Sequence, residues 1–356
     1  VFVAWRDLRF AKGRFTLMGS VVILMTLLVG LLSGLTAGLA AQSTSAVTGL
    51  NADHISFAAP ADGEGPSFTR SVVHPEQWRR LAEVPGVTSA SPLGIATVEG
   101  STGAGGATTA VSAFGVRPDS DLAPAPVSAG TVVLSAGAAD ELSVQPGDSL
   151  TVSGHRLTIG PVAGDASFNH TPVAWLSLSD WQRLSPAAGP HATVVALRTS
   201  AESGLPAADR RLGTTTVGTG ESLSAIGSYT AENGSLQLMR AFLFAISALV
   251  IGAFFTVWTI QRSRDIAVLK ALGATTKYLL RDALGQAVAL LVTGTAIGSV
   301  LAAVLGAAVS DTVPFVLDGT TVLVPALVMV LLGAGGAALA VRRVTAVDPL
   351  TALSHH

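Results

Sequence analysis

Four stretches of this chain, residues 17–40, 236–260, 283–310 and 322–341, are apolar and free of charge through their middles. The hydrocarbon core of a bilayer takes about 20 such residues of helix to cross. Each stretch reaches that length, so a buried hairpin in a soluble core is excluded for all four. Composition agrees: 49% of residues are hydrophobic and 12% charged, with a mean hydropathy of +0.56, where a soluble domain carries about 25% charged residues. A net charge of -2 and the lack of any Lys/Arg-rich run leave no electrostatic footprint for nucleic acid. The sequence has no cysteine, which removes disulfides, thiolate metal sites and thiol nucleophiles.

Basic residues set the orientation, because Lys and Arg beside spans collect on the cytoplasmic side. Arg6, Arg9, Lys12 and Arg14 precede the first stretch; Arg262, Arg264, Lys270, Lys277 and Arg281 lie between the second and third; Arg342 and Arg343 follow the fourth. Between the third and fourth stand Asp311 and Asp318 and no base. The expected protein is therefore a multi-pass protein of the cell membrane with both termini cytoplasmic. Its first span is about twice as long as the apolar part of a signal peptide, so an uncleaved anchor is expected. Val1 at the start and His355-His356 at the end suggest a fragment with a tag remnant, and no function is expected of those two histidines.

The expected fold is four transmembrane α-helices with a large extracellular α+β domain inserted between helices one and two. In chain order this gives a cytoplasmic amphipathic segment (1–16), span one (17–40), the extracellular domain (41–235) and span two (236–260). A cytoplasmic helix and turn (261–282), span three (283–310), an outer loop (311–321), span four (322–341) and a cytoplasmic tail (342–356) follow. Within the insert, β-type runs at 108–115, 131–134, 149–159, 173–178 and 193–197 alternate with turn signals. Residues 74–83, with Pro75 in the first turn, and 136–142 read as helices. Residues 100–106 are Gly, Ser, Thr and Ala only and read as a flexible loop tip. Ser, His and Asp of the insert stand at no spacing that marks a catalytic triad. The run from Asp165 to His170 could imitate a metal site, but one Asp and one His on a loop are expected to be solvated.

Residues 261–281 are the most informative segment. Ile266, Leu269 and Leu272 repeat at helical spacing, Gly273 is placed to stop that helix in a left-handed conformation, and Thr275 or Thr276 can cap the next helix. Such a short basic amphipathic helix can lie on anionic headgroups or present its apolar edge to a groove on a soluble partner. The run Arg264-Asp265-Ile266-Ala267-Val268-Leu269-Lys270-Ala271-Leu272-Gly273-Ala274 resembles the cytoplasmic signature of permeases of the MacB and FtsX type, which belong to ATP-binding cassette systems. Val347-Asp348-Pro349-Leu350-Thr351-Ala352-Leu353 resembles that family's C-terminal tail, and residues 142–159 resemble a stretch of its outer domain. With the order of one span, outer domain and three spans, the resemblance covers nearly the whole chain.

That resemblance implies two permeases paired with two copies of a separate ATPase, which binds the ATP and Mg. It also implies that Arg264, Asp265, Ile266, Leu269, Leu272 and Gly273 belong to a coupling helix docked on that ATPase. The chain itself has no Gly-x-x-x-x-Gly-Lys-Ser/Thr loop to cradle phosphates, so it is expected to be a non-catalytic subunit with no cofactor of its own.

Gly30, Gly34 and Gly38 stand four apart on span one, and Gly294, Gly298, Ala302 and Gly306 do the same on span three. Small-residue faces let helices approach closely in lipid. Packing within the chain is expected for span three and a seam with a second copy for span one.

Glu232 and Arg240 are eight apart, near one helical face with Leu236 and Met239. Glu232 can simply favour the positive end of the helix dipole while Arg240 snorkels to the interface. Alternatively the four residues form a ligand site near the outer leaflet, since ionisable groups in or beside spans are costly and often functional. Within the family, the chain is similar to haem exporter permeases of the HrtB kind in size, domain content and the position of Glu232. That resemblance implies haem as the transported substrate, with Glu232 as a ligand for ferric iron, Leu236 and Met239 covering the porphyrin, and Arg240 meeting a propionate. His54, His74, His155, His170 and His191 are expected to be surface or hydrogen-bonded residues and not iron ligands. Two further functions stay open within the family: an FtsX-like relay to an extracellular wall hydrolase, and MacB-like export of peptides or lipoproteins.

Overall fold

The computed structural model describes residues 12–103, 106–184, 189–202, 204–261, 268, 273, 275–310 and 312–345. They form two units, one of those within 1–38 and 235–356 and one of those within 39–234.

The first unit is built from four long helices: α1 (Lys12–Thr48, to Gly38), α7 (Gly227–Gln261, from Ser235), α8 (Thr276–Val309) and α9 (Gly319–Thr345). Among the described residues these four are long and apolar enough to span a membrane. Their shared core holds Val22 and Val29 of α1, Ile251, Phe255 and Trp258 of α7, Leu291 of α8 and Met329 of α9. Leu238, Phe242, Ile246 and Leu249 of α7 and Leu323, Leu327 and Leu331 of α9 stay exposed, as side chains solvated by lipid do. Asp318 opens α9 by accepting from the Thr321 amide (2.6 Å) and the Thr320 hydroxyl (2.9 Å). Those donors, the amide first, hold its carboxyl below the usual carboxylate range.

Small residues decide how these helices meet. A Cβ on Gly30 would strike Ala302, one on Gly298 would strike Thr26 and the Ile23 carbonyl, and one on Gly294 would strike Val22. The glycine faces of α1 and α8 therefore pack on each other. At their outer ends the Phe315 ring fills the groove over Gly34 and Gly306, and the Pro314 carbonyl sits on Gly38. The amide of Val316 donates to the Gly34 carbonyl (3.1 Å) and pins this loop to α1. This corrects the seam expected on span one: its small-residue face is filled by the chain's own α8 and outer loop.

The second unit is an α+β domain. Among its described residues are ten strands, β1 (His54–Ala58), β2 (Val87–Ser101), β3 (Thr108–Val116), β4 (Thr131–Leu134), β5 (Ser149–Val152), β6 (His155–Val162), β7 (Ser167–Phe168), β8 (Thr171–Ser177), β9 (Val194–Thr199) and β10 (Thr214–Gly218). They follow the order β10-β1-β9-β2-β3-β8-β4-β6-β5, with β7 beside β8. Five short helices join them: α2 (Pro75–Ala82), α3 (Ala136–Leu142), α4 (Leu178–Leu184), α5 (Leu205–Leu212) and α6 (Thr219–Ser222). The central strands are apolar on both faces, with successive side chains alternating between two cores. Ala174 and Leu176 join one core with Leu81, Leu142, Trp181 and Leu205 of the helices. Val173 and Trp175 join the other, with Ala46 and Val47 of the outer end of α1. In the second core Phe57, Phe68, Phe168, Phe114 and Trp175 pack edge to face, with successive centroids 4.9–5.6 Å apart.

The run expected as one strand at 149–159 is two. Ser153 and Gly154 both have positive φ (47° and 84°) and turn β5 back on β6 with Val152 opposite His155, the two-residue hairpin that a Ser-Gly pair favours. Strand β2 was hidden in the sequence. It pairs with β9 through Leu93 and with β3 from Gly94 onward, and it ends beside β5 at Gly100 and Ser101. Gly94 faces Gly115 at that changeover, and the Trp181 ring lies on both. Gly115→Val would drive a branched side chain into a ring backed by His191. A loss of about 3 kcal/mol is expected, at the upper end for overpacking, read as a lower unfolding midpoint of the full chain in lipid nanodiscs.

Candidate substrate and coupling sites

Glu232 lies in the second turn of α7 with its side chain 45% exposed. Its Oε2 is 2.9 Å from Nε2 of His170, and among the described residues Oε1 has no hydrogen-bond partner. The same His170 Nε2 is 2.9 Å from the Ser43 hydroxyl oxygen. An ionised carboxylate only accepts, so Nε2 carries the proton and shares it between Glu232 and Ser43.

His170 is held there by local backbone chemistry. Residues Asn169 and His170 form the two-residue turn between β7 and β8, with Phe168 opposite Thr171, and both have positive φ (51° and 64°). Their amides donate to the Ser43 carbonyl (3.1 Å) and the Gln42 carbonyl (3.2 Å) of α1. The Ser167 amide donates to the Ser45 hydroxyl (2.9 Å), and the Ser228 hydroxyl of α7 donates to Asn169 Oδ1. This turn thus touches the outer extension of α1 on one side and the first two turns of α7 on the other. The sequence offered His170 as one of five histidines of the insert and as the end of the run from Asp165. Nothing local marks it as the partner of a residue 62 positions away.

Leu236, Met239 and Arg240 follow on the same helix, in the first unit, with Met239 50% exposed and Leu236 and Arg240 half-buried. No group of three or more His, Asp or Glu side chains able to hold an ion occurs among the described residues. Of the candidate coupling residues, Arg264, Asp265, Ile266, Leu269 and Leu272 lie outside the described residues. Gly273 has φ of +96°, with no described residue within 4 Å of its Cβ position. Thr275 caps α8, its side chain accepting from the Tyr278 amide. A positive φ at Gly273 and a helix cap at Thr275 thus stand two residues apart.

Comparison with known proteins matches this architecture. Residues 17–215 match the family described as MacB-like periplasmic core domain, and residues 238–349 match the FtsX-like permease C-terminal family. The chain belongs to the MacB/FtsX family of permeases. It is 26% identical over 354 residues to a protein of Staphylococcus haemolyticus named "Putative hemin transport system permease protein HrtB", covering 99% of this chain and 98% of that one. A Staphylococcus epidermidis protein of the same name is 33% identical over 40% of each chain. An uncharacterized ABC transporter permease of Mycobacterium tuberculosis is 27% identical over 99% of each.

Proposed function

We propose that this chain is the permease subunit of an exporter that takes haem from the membrane and expels it, driven by a separate cassette ATPase. Two copies of the chain work with two copies of the ATPase, which binds ATP and Mg. Both termini and the basic flanks face the cytoplasm, and the inserted domain faces outward. Glu232 supplies a hard oxygen ligand to ferric iron. Further along α7, Leu236 and Met239 supply apolar cover for the porphyrin, and Arg240 a charge-assisted partner for a propionate. Ile266, Leu269 and Leu272 give the apolar edge of the coupling helix, Arg264 and Asp265 its polar start and Gly273 its stop. Closure of the ATPase pair around ATP moves that helix, and the two-state motion reaches the outer domain through the spans.

The observation that carries the haem reading is Glu232 itself. It is a half-exposed carboxylate with one oxygen held and the other without a partner among the described residues, at the head of a span helix. Support comes from the full-length similarity to a protein named for hemin transport. The test is titration of ferric haemin into the purified chain with its ATPase in nanodiscs, read at the Soret band. Saturable binding is expected for the wild type, and Glu232→Ala should weaken it by about tenfold or more, the equivalent of 1.4 kcal/mol. A wild-type protein that leaves the haemin spectrum unchanged would sink the substrate assignment.

A further inference from the structure

We propose that His170 is the positioning residue for Glu232: the turn between β7 and β8 fixes one carboxylate oxygen and leaves the other aimed for the iron of an incoming haem. This rests on the haem reading above and adds to it a residue and a structural element.

Three observations carry it. The first is the contact, since Nε2 of His170 stands 2.9 Å from Glu232 Oε2 while no described residue bonds Oε1. A carboxylate held by one oxygen cannot rotate freely about its last bond, and its free oxygen keeps a single direction. Carboxylates and imidazoles that bind metals are oriented by such hydrogen-bonded partners.

The second is the rigidity of the holder. Phe168, the residue before the turn, is 5% exposed and wedged edge-on against Phe68 (5.4 Å) and Phe114 (5.6 Å). Beyond it, the amides of Asn169 and His170 and the Asn169 side chain are all tied to α1 or α7. Ser43 adds a second contact on the same imidazole nitrogen (2.9 Å). The ring is thereby fixed from its backbone to its tip.

The third is the residue type. A two-residue turn with both φ positive prefers Asn-Gly, and a histidine with φ of 64° sits in a region that few side chains adopt. Backbone strain of this kind points to a side-chain role when the surrounding structure holds it in place. Here the side chain reaches the carboxylate already singled out for ligand binding, and both stay accessible, at 31% and 45% exposure.

The experiment separates the turn from the contact. His170→Asn keeps a residue suited to positive φ but removes the nitrogen that reaches Glu232. His170→Gln restores an N–H donor at similar reach. Ferric haemin is titrated into each full-length variant, assembled with the ATPase in nanodiscs. A loss of affinity of about tenfold to a hundredfold is expected for His170→Asn, with a displaced Soret maximum, and recovery to within about threefold for His170→Gln. Unfolding midpoints should match the wild type for both. If the wild type binds haemin and His170→Asn binds it with equal affinity and the same spectrum, the positioning role is wrong while the haem reading stands. If the wild type binds no haemin, the haem reading fails and this inference goes with it. Loss in both variants alike would assign His170 a structural part only and overturn the proposal.

Discussion

Gly34→Leu is expected to prevent assembly of the membrane unit, and Phe315→Ala to restore part of it. The Cβ position of Gly34 lies within the space of the Phe315 ring, which also covers Gly306 of α8. A leucine there must expel the ring, and the loop cannot follow freely because the Val316 amide is bonded to the Gly34 carbonyl (3.1 Å). Overpacking of this kind costs about 3 kcal/mol or more, a large share of the 5–15 kcal/mol that typically holds a protein folded. Phe315→Ala alone opens a cavity and costs about 3 kcal/mol. The double variant fills that cavity with the new leucine, so its loss should be smaller than the sum of the two by about 2 kcal/mol, within the range of coupled neighbours. Gly38→Leu makes the contrast: its obstacle is the Pro314 carbonyl, which is main chain, and Phe315→Ala should not rescue it. The measurement is the monodisperse fraction and unfolding midpoint of each variant in detergent. Additive losses for Gly34→Leu and Phe315→Ala would show that the ring does not fill this groove.

These glycines mark the limit of what could be read without coordinates. Their four-residue spacing revealed a close helix contact, but spacing is the same whether the neighbour is the chain itself or a second copy. Only Ala302, Pro314 and Phe315 settle that the groove over Gly30, Gly38 and Gly34 is filled from within. In the outer domain two of the legible strands are buried on both faces. Val173 to Ser177 and Val194 to Leu197 are unbroken buried runs, and they stand out because each side chain enters one core or the other. Strand β2 was illegible for the opposite reason. Its Pro92, Gly94 and Gly100 and its many small residues carry no period, and it exists because two halves of the sheet need a shared strand. The helix at Pro75–Ala82 was legible from Pro75, and His74 completes it, its amide donating to Gln77 Oε1 (2.8 Å). Glu232 stood out as a carboxylate at the head of a span. Its partner did not, because the contact with His170 depends on a strained turn reaching across to α7.

On the function proposed above, Gly273→Val is expected to uncouple export from ATP hydrolysis while leaving haemin binding in place. The glycine has φ of +96° and no described residue within 4 Å of its Cβ position, so among the described residues a side chain there meets no obstacle and the strain is in the backbone's own geometry. A branched residue in the left-handed region costs about 1–2 kcal/mol or more, and the chain relieves it by leaving that conformation. The turn between the candidate coupling segment and the capped start of α8 would then be reset. An opposed shift of about 1.4 kcal/mol already reduces the productive population tenfold. In cells, export read as resistance to added haemin should therefore fall about tenfold or more, while the purified assembly still hydrolyses ATP and binds haemin as the wild type does. Gly273→Asn is the control, since Asn tolerates positive φ and should keep most of the export. Three outcomes discriminate. Export lost in Val and kept in Asn ties transport to the backbone conformation of this one turn. Export kept in both means that the turn does not transmit force. Haemin binding lost together with export would place the defect in folding and remove Gly273 from the coupling path.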